Sequence, residues 1–284
     1  MNAAHITQFV IGVCGELPGR QALETAAEMA RMFRARFSAL MIEDPASGTL
    51  GYLPFAREYV PGRAAWQNIG VADVEARRAS AQRRVRDAFA TMAQLHGLNA
   101  DVEVLSGNLQ DELTGALHPG DIVALLAPAQ ASEWMTLPFS AFAEAAFQGP
   151  ATALLLPSRI ARRKGPVVAL TNMEDKASLS LAARLAQVSG EMLIVMAAGV
   201  NDMAGGASTL SELIDFPLER LRIIDVDGAN LRDIKQWLWD IEERMLVVGR
   251  ELLTEPGLGE LISLASARGI PVLIPGNPAA RQED

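Results

Sequence analysis

The chain has 284 residues, half of them hydrophobic, and a formal net charge of -9. That length accommodates one large or two ordinary domains, and the negative balance disfavours nucleic acid and anionic membrane as partners. A single cysteine, Cys14, excludes a disulfide framework or cysteine metal cluster within the chain and fits a reducing, cytoplasmic setting.

In chain order, FVIGV (9–13) is a short apolar run that reads as a buried strand, broken by Gly15, Pro18 and Gly19. Leu23, Ala26, Ala27, Ala30 and Phe33 then recur at helical spacing. FSALMIED (37–44) is a second strand. Residues 45–70 are rich in Gly and Pro and carry Tyr52, Phe55, Tyr59 and Trp66, which predicts a long ordered excursion that lids the sheet edge or forms an interface. A long helix follows over about 71–96, with Val74, Ala81, Val85, Phe89, Met92 and Leu95 as its stripe and Gly97 as C-cap. Arg77, Arg78, Arg83, Arg84 and Arg86 lie mostly off that stripe, as a solvated face or a hold for an acidic partner. ADVEVLSG is a third strand, LQDELTGAL a short helix, DIVALLA a fourth strand, 139–147 a helix and ATALLLP a fifth strand.

The second half repeats this order. PVVALTN, EMLIVMAAG, LRIIDVDG, MLVVGR and IPVLIPG read as strands. Between them KASLSLAARLAQVSG, TLSELIDF (after a Gly-rich turn), LRDIKQWLWDIEE and LGELISLASARG read as helices. Strands alternating with helices imply parallel strands joined by crossovers. Two motifs echo at one offset of about 120 residues: QGPATALLLPS with RGIPVLIPG, and SGNLQDEL with DGANLRDI. The expectation is an α/β chain of two tandem, doubly wound, five-stranded parallel-sheet domains, 1–158 (with an insertion at about 45–70) and 165–284. The basic stretch RIARRK places a solvated linker at 159–164 between them.

No apolar run approaches the ~20 residues a membrane span requires, so no membrane insertion is expected, and MNAAHITQF has no signal-peptide pattern. His5, His96 and His118 are scattered without metal-ligand spacing, and Asp225-Val226-Asp227 reads as a turn before it reads as a metal pair. Cys14, at the carboxyl end of the first strand, is a buried small side chain or a reactive thiol.

The order of FVIGV, VEVLSGNLQDEL, DIVALLA and PATALLLP, repeated in the second half, resembles the universal stress protein family in its tandem form. That resemblance implies a Rossmann-like fold and, in many members, ATP bound by an acidic residue after the first strand and a G-x2-G-x9-G-[ST] run after the fourth. Glycines there let backbone N–H groups approach phosphates. Here the pattern fails: no glycine stands between Ile122 and Gly149, and in the second half Leu252 occupies the place of the second glycine. The resemblance implies at most a degenerate nucleotide site in the second half, at Thr171, Asn172, Asp175, Gly228, Gly249 and Arg250, with ATP as its ligand and Arg250 as the counter-charge. The matching first-half positions are Cys14, Gly15, Glu16 and Gly107. It also implies last strands that pair within the chain or between chains, either in a homodimer or alongside an unidentified protein partner. The expected role is non-catalytic, regulatory or scaffolding, in a stress response, with a nucleotide-binding switch as the alternative. No nucleophile–base pair or G-x-x-x-x-G-K-[ST] motif points to an enzyme.

Overall fold

The computed structural model describes residues 6–14, 17, 19–42, 52–53, 55–60, 65–105, 115–126, 137–157, 159–198, 203–226, 234–253 and 257–277. The first half supplies β1 (Gln8–Cys14), α1 (Arg20–Phe33), β2 (Arg36–Ile42), β3 (Arg57–Val60), β4 (Ala65–Asn68), α2 (Val71–His96), β5 (Ala100–Leu105), β6 (Asp121–Leu126), α3 (Leu137–Gln148) and β7 (Thr152–Leu156). The second supplies β8 (Val167–Leu170), α4 (Lys176–Ser189), β9 (Leu193–Ala197), α5 (Met203–Ile214), β10 (Leu221–Asp225), α6 (Ile234–Trp237), β11 (Met245–Val248), α7 (Gly257–Arg268) and β12 (Val272–Ile274).

Ten of these strands form one sheet, in the order β10-β9-β8-β11-β12-β7-β6-β1-β2-β5. Reading outward from the middle, both halves run last strand, fourth, first, second, third. Every pairing is parallel except the central one, where β12 meets β7 antiparallel with Val272 opposite Leu155, Leu273 opposite Leu154 and Ile274 opposite Ala153. The last strands therefore pair within the chain, the first of the two arrangements the sequence left open. Central parallel strands are covered on both faces, which is why VVAL, LIVMA and MLVV are apolar throughout and buried at every position.

Two apolar cores lie one on each face of the sheet, and both cross the seam. One runs from Phe9, Phe37 and Phe89 through Leu154 and Leu273 to Leu185. The other runs from Val10 and Phe142 through Leu155 and Val272 to Leu264. Gly12, in mid-β1, leaves space that the fully buried Phe142 ring fills; a Cβ there would fall inside the ring. At the seam the backbones approach closely enough that a Cβ on Gly276 would collide with the Pro150 carbonyl, and the Asn277 N–H donates to the Gly149 carbonyl at 3.1 Å.

Several elements depart from expectation. The helix expected over 231–243 is, among the described residues, a single turn at Ile234–Trp237; after it the chain tightens into three-residue turns, the Trp239 N–H donating to the Gln236 carbonyl at 3.2 Å and the Ile241 N–H to the Leu238 carbonyl at 3.1 Å, while the Leu238 and Ile241 carbonyls also accept from the Arg268 guanidinium at 3.0 and 2.9 Å. The Gly-rich turn at 205–206 is instead helical within α5, where burial of Leu210 and Ile214 outweighs the poor helix propensity of glycine. The basic stretch is not simply solvated. Ile160 is buried, the Ala161 N–H donates to the Gly269 carbonyl at 2.7 Å, and Arg163 pairs with Glu24 and Glu28 of α1 at 3.7 and 3.4 Å. The aromatic excursion contains an antiparallel hairpin, β3–β4, outside the main sheet.

Candidate functional site

In the second half, the carboxyl ends of β8 and β11 lie side by side, and the chain leaving each carries the residues singled out in the sequence. Thr171, fully buried, follows β8; Gly249 follows β11, and its N–H donates to the Leu170 carbonyl at 2.8 Å. Asn172 closes the turn with its side-chain oxygen, which accepts from the Glu174 and Asp175 N–H groups at 2.9 and 2.7 Å. Asp175 then caps α4, one carboxylate oxygen accepting from the Ala177 and Ser178 N–H groups, both at 3.1 Å. This is the usual work of an N-cap aspartate, and it satisfies amides that the helix cannot.

A residue absent from the sequence-based set completes the cluster. Glu251, in the short 3-10 turn Arg250–Leu252, reaches back across the crevice. One of its oxygens accepts from the Asn172 N–H at 3.1 Å and lies 3.0 Å from the Thr171 hydroxyl. The same hydroxyl lies 3.0 Å from Asp175. A threonine hydroxyl has one proton, so it serves one carboxylate at a time. Gly249 is needed here because a Cβ would press on both the Glu251 carboxylate and the Thr171 hydroxyl.

Burial acts to raise the Asp175 carboxyl, but donation from the Ser178 hydroxyl and N–H and from the Thr171 hydroxyl outweighs it and holds the group below the usual range. A lowered carboxyl stabilises the fold above its unfolded value, about 3.9, and that contribution is lost as pH falls below it. Asp175→Ala is therefore expected to cost about 1 kcal/mol at pH 7, and less at pH 3. Urea midpoints at the two pH values check this; an equal loss at both would leave only packing as the cause.

Arg250, by contrast, faces the seam. Its guanidinium donates to the Pro275 carbonyl at 3.0 Å and to the Phe147 carbonyl at the end of α3, and it is half-buried. Among the described residues its second terminal nitrogen has no acceptor, and burial lowers the guanidinium pKa. Arg250 thus ties the second half to the first. In the first half, the Cys14 backbone ends β1 opposite Ile42. Gly15, Glu16, Gly107 and Gly228 lie outside the described residues, as do Glu43, Asp44, Asp227, most of the short helix expected at 109–117 and the glycine-free stretch at 127–136.

No protein-family model matches the chain, and no curated protein matches it in sequence. Solved structures do match its shape. A universal stress protein from Archaeoglobus fulgidus superposes with a TM-score of 0.64 at 12% identity, covering 94% of this chain and 96% of that one. The chain has the universal stress protein fold. A candidate universal stress protein from Pseudomonas aeruginosa gives a TM-score of 0.56 at 13% identity over 96% and 95% of the two chains. A functionally unknown protein from the same species gives 0.60 at 13% identity over 99% and 96%. These matches span both halves, so the shared feature is the paired arrangement and not one five-stranded unit.

Proposed function

We propose that this is a non-catalytic stress-response protein of the tandem universal stress type, built from domains at 1–158 and 165–284. In this reading it acts as a regulatory or scaffolding module and does not bind ATP in the family's manner. The observation that carries the proposal is Glu251. Where the family pattern would have a glycine loop offering N–H groups to phosphates, this chain sets a carboxylate that already takes the Asn172 N–H, with a second carboxylate, Asp175, beside it. An incoming triphosphate would meet like charge in a crevice whose donors are occupied. Arg250, the counter-charge expected from the sequence, is engaged by two backbone carbonyls. These residues do not fit a nucleotide phosphate.

Isothermal titration of the full chain with Mg-ATP is expected to give no saturable heat. The alternative, a nucleotide switch at Thr171, Asn172, Asp175, Gly228, Gly249 and Arg250, predicts saturable binding that Arg250→Ala abolishes.

A further inference from the structure

A small pocket lies at the junction of the two halves, where α1, the basic stretch and the starts of β11 and β12 meet. Met245 opens β11 and Pro271 immediately precedes β12, so the pocket is at the amino edge of the second-half sheet. Thr171 and Gly249 follow strands at the carboxyl edge, so the pocket and the crevice described above are on opposite edges and share no residue. Met29, Ile160 and Met245 are buried and give the pocket an apolar lining. Its charged lining is Arg162, Arg163, Arg244 and Glu28.

The three guanidiniums are not alike. Arg163 meets Glu24 at 3.7 Å and Glu28 at 3.4 Å, so its charge is offset. Arg162 and Arg244 are half-buried, and among the described residues neither guanidinium has a hydrogen-bond or ion-pair partner. The half-buried Arg220, Arg250 and Arg268 are all held by carbonyls or a carboxylate. A guanidinium that gives up part of its water needs acceptors in exchange. Nearby donors are already committed: the Ala161 N–H to the Gly269 carbonyl at 2.7 Å, the Arg244 N–H to the Pro166 carbonyl at 2.9 Å and the Thr25 hydroxyl to the Gln21 carbonyl at 3.1 Å. What the pocket can bind is therefore an acceptor-only anion, held by guanidiniums.

Each guanidinium is a planar fork that matches two oxygens of a phosphate or carboxylate. Two uncompensated cations match a charge near -2 and more than two oxygens, which a phosphate group supplies and a single carboxylate does not. The volume is about 20 Å³, room for one or two water-sized groups. Two phosphate oxygens would enter and the remainder would stay in solvent, so binding is weak and readily exchanged.

We propose that this junction pocket binds the phosphate group of a small molecule, either inorganic phosphate or a phosphate monoester, between Arg162 and Arg244. The group would join the first half to the second on the edge away from the crevice, and so stabilise the folded chain. Thermal melts of the full chain at matched ionic strength test this. Saturating inorganic phosphate is expected to raise Tm by about 3 °C more than acetate does. Arg162→Gln and Arg244→Gln are each expected to lose most of that difference. Glu28→Gln removes a repelling carboxylate and releases Arg163, and is expected to enlarge it. Arg250→Ala, at the seam and outside the pocket, is expected to keep it. A larger shift with glycerol 3-phosphate than with inorganic phosphate supports the proposal with a monoester as ligand, and a smaller one supports it with the free ion. A shift no greater than that of acetate, a shift undiminished in both arginine variants, or one reduced by Glu28→Gln would overturn the proposal. So would a shift abolished by Arg250→Ala, which would move the phosphate to the seam.

Discussion

Replacing Arg268 by Met is expected to lower the stability of the fold by about 3–5 kcal/mol, which for a chain of this size is a fall in Tm of roughly 10 °C. The cause is Glu243, whose side chain is wholly enclosed. Its two oxygens meet the Arg268 Nε and, at 2.8 Å, Nη2. The pair holds Arg268 charged beyond its ordinary range, through the hydrogen bond to Glu243 first, and the guanidinium also satisfies the Leu238 and Ile241 carbonyls. Without Arg268 the carboxylate is stranded away from water, the costliest way to break such a pair. A stranded carboxylate takes up a proton, so the defect in the variant is expected to be smaller at pH 5 than at pH 8. Glu243→Leu combined with Arg268→Met is expected to be milder than Arg268→Met alone, since neither charge then remains. Thermal melts of the three proteins at both pH values check this. Equal loss at pH 5 and pH 8 would mean that Arg268 acts through packing alone.

Gly276→Ala is expected to cost about 3 kcal/mol and to loosen the middle of the sheet specifically. The colliding groups are backbone atoms of Pro150 and Ala151, not the ends of flexible side chains, so relief requires the two halves to separate. Amide hydrogen exchange is expected to rise at 153–155 and 272–274 while β2 and β9 keep their protection. Gly259→Ala in α7, where a Cβ has nothing within 4 Å, is the control and is expected to be neutral or stabilising. Uniform loss of protection across both halves would argue against a seam that yields first.

The repeated order of apolar runs was enough to read the fold, because buried parallel strands cannot alternate and glycines such as Gly97 and Gly190 close helices in the left-handed region, at φ of 66° and 73°. The bounds of α2 were legible for that reason, but not the whole of its stripe: Leu95, placed on it by spacing, is exposed, and Ala93 is buried instead. The hairpin was not legible, although Pro61-Gly62 stands between two four-residue strands as a turn signal, because neither strand has a buried face to impose alternation. The end of the 231–243 helix at Trp237 was also hidden, since the carbonyls beyond it are met by Arg268, far along the chain. At the candidate site, Asp175 followed by Ser178 was readable as a helix start. Glu251 was not, because only the crossing of β8 and β11 brings it to Asn172, 79 residues earlier. Arg250 looked like a phosphate ligand in sequence because its commitment to Phe147 arises only once the halves are joined.

Native mass spectrometry of the freshly purified full chain, before and after addition of Mg-ATP, tests most directly whether the second-half crevice is closed by its own carboxylates. The account predicts the mass of protein alone in both spectra, with any dimer equally free of nucleotide. A stoichiometric adduct of nucleotide mass that survives desalting would contradict it, and would make Glu251 a residue that yields to ATP.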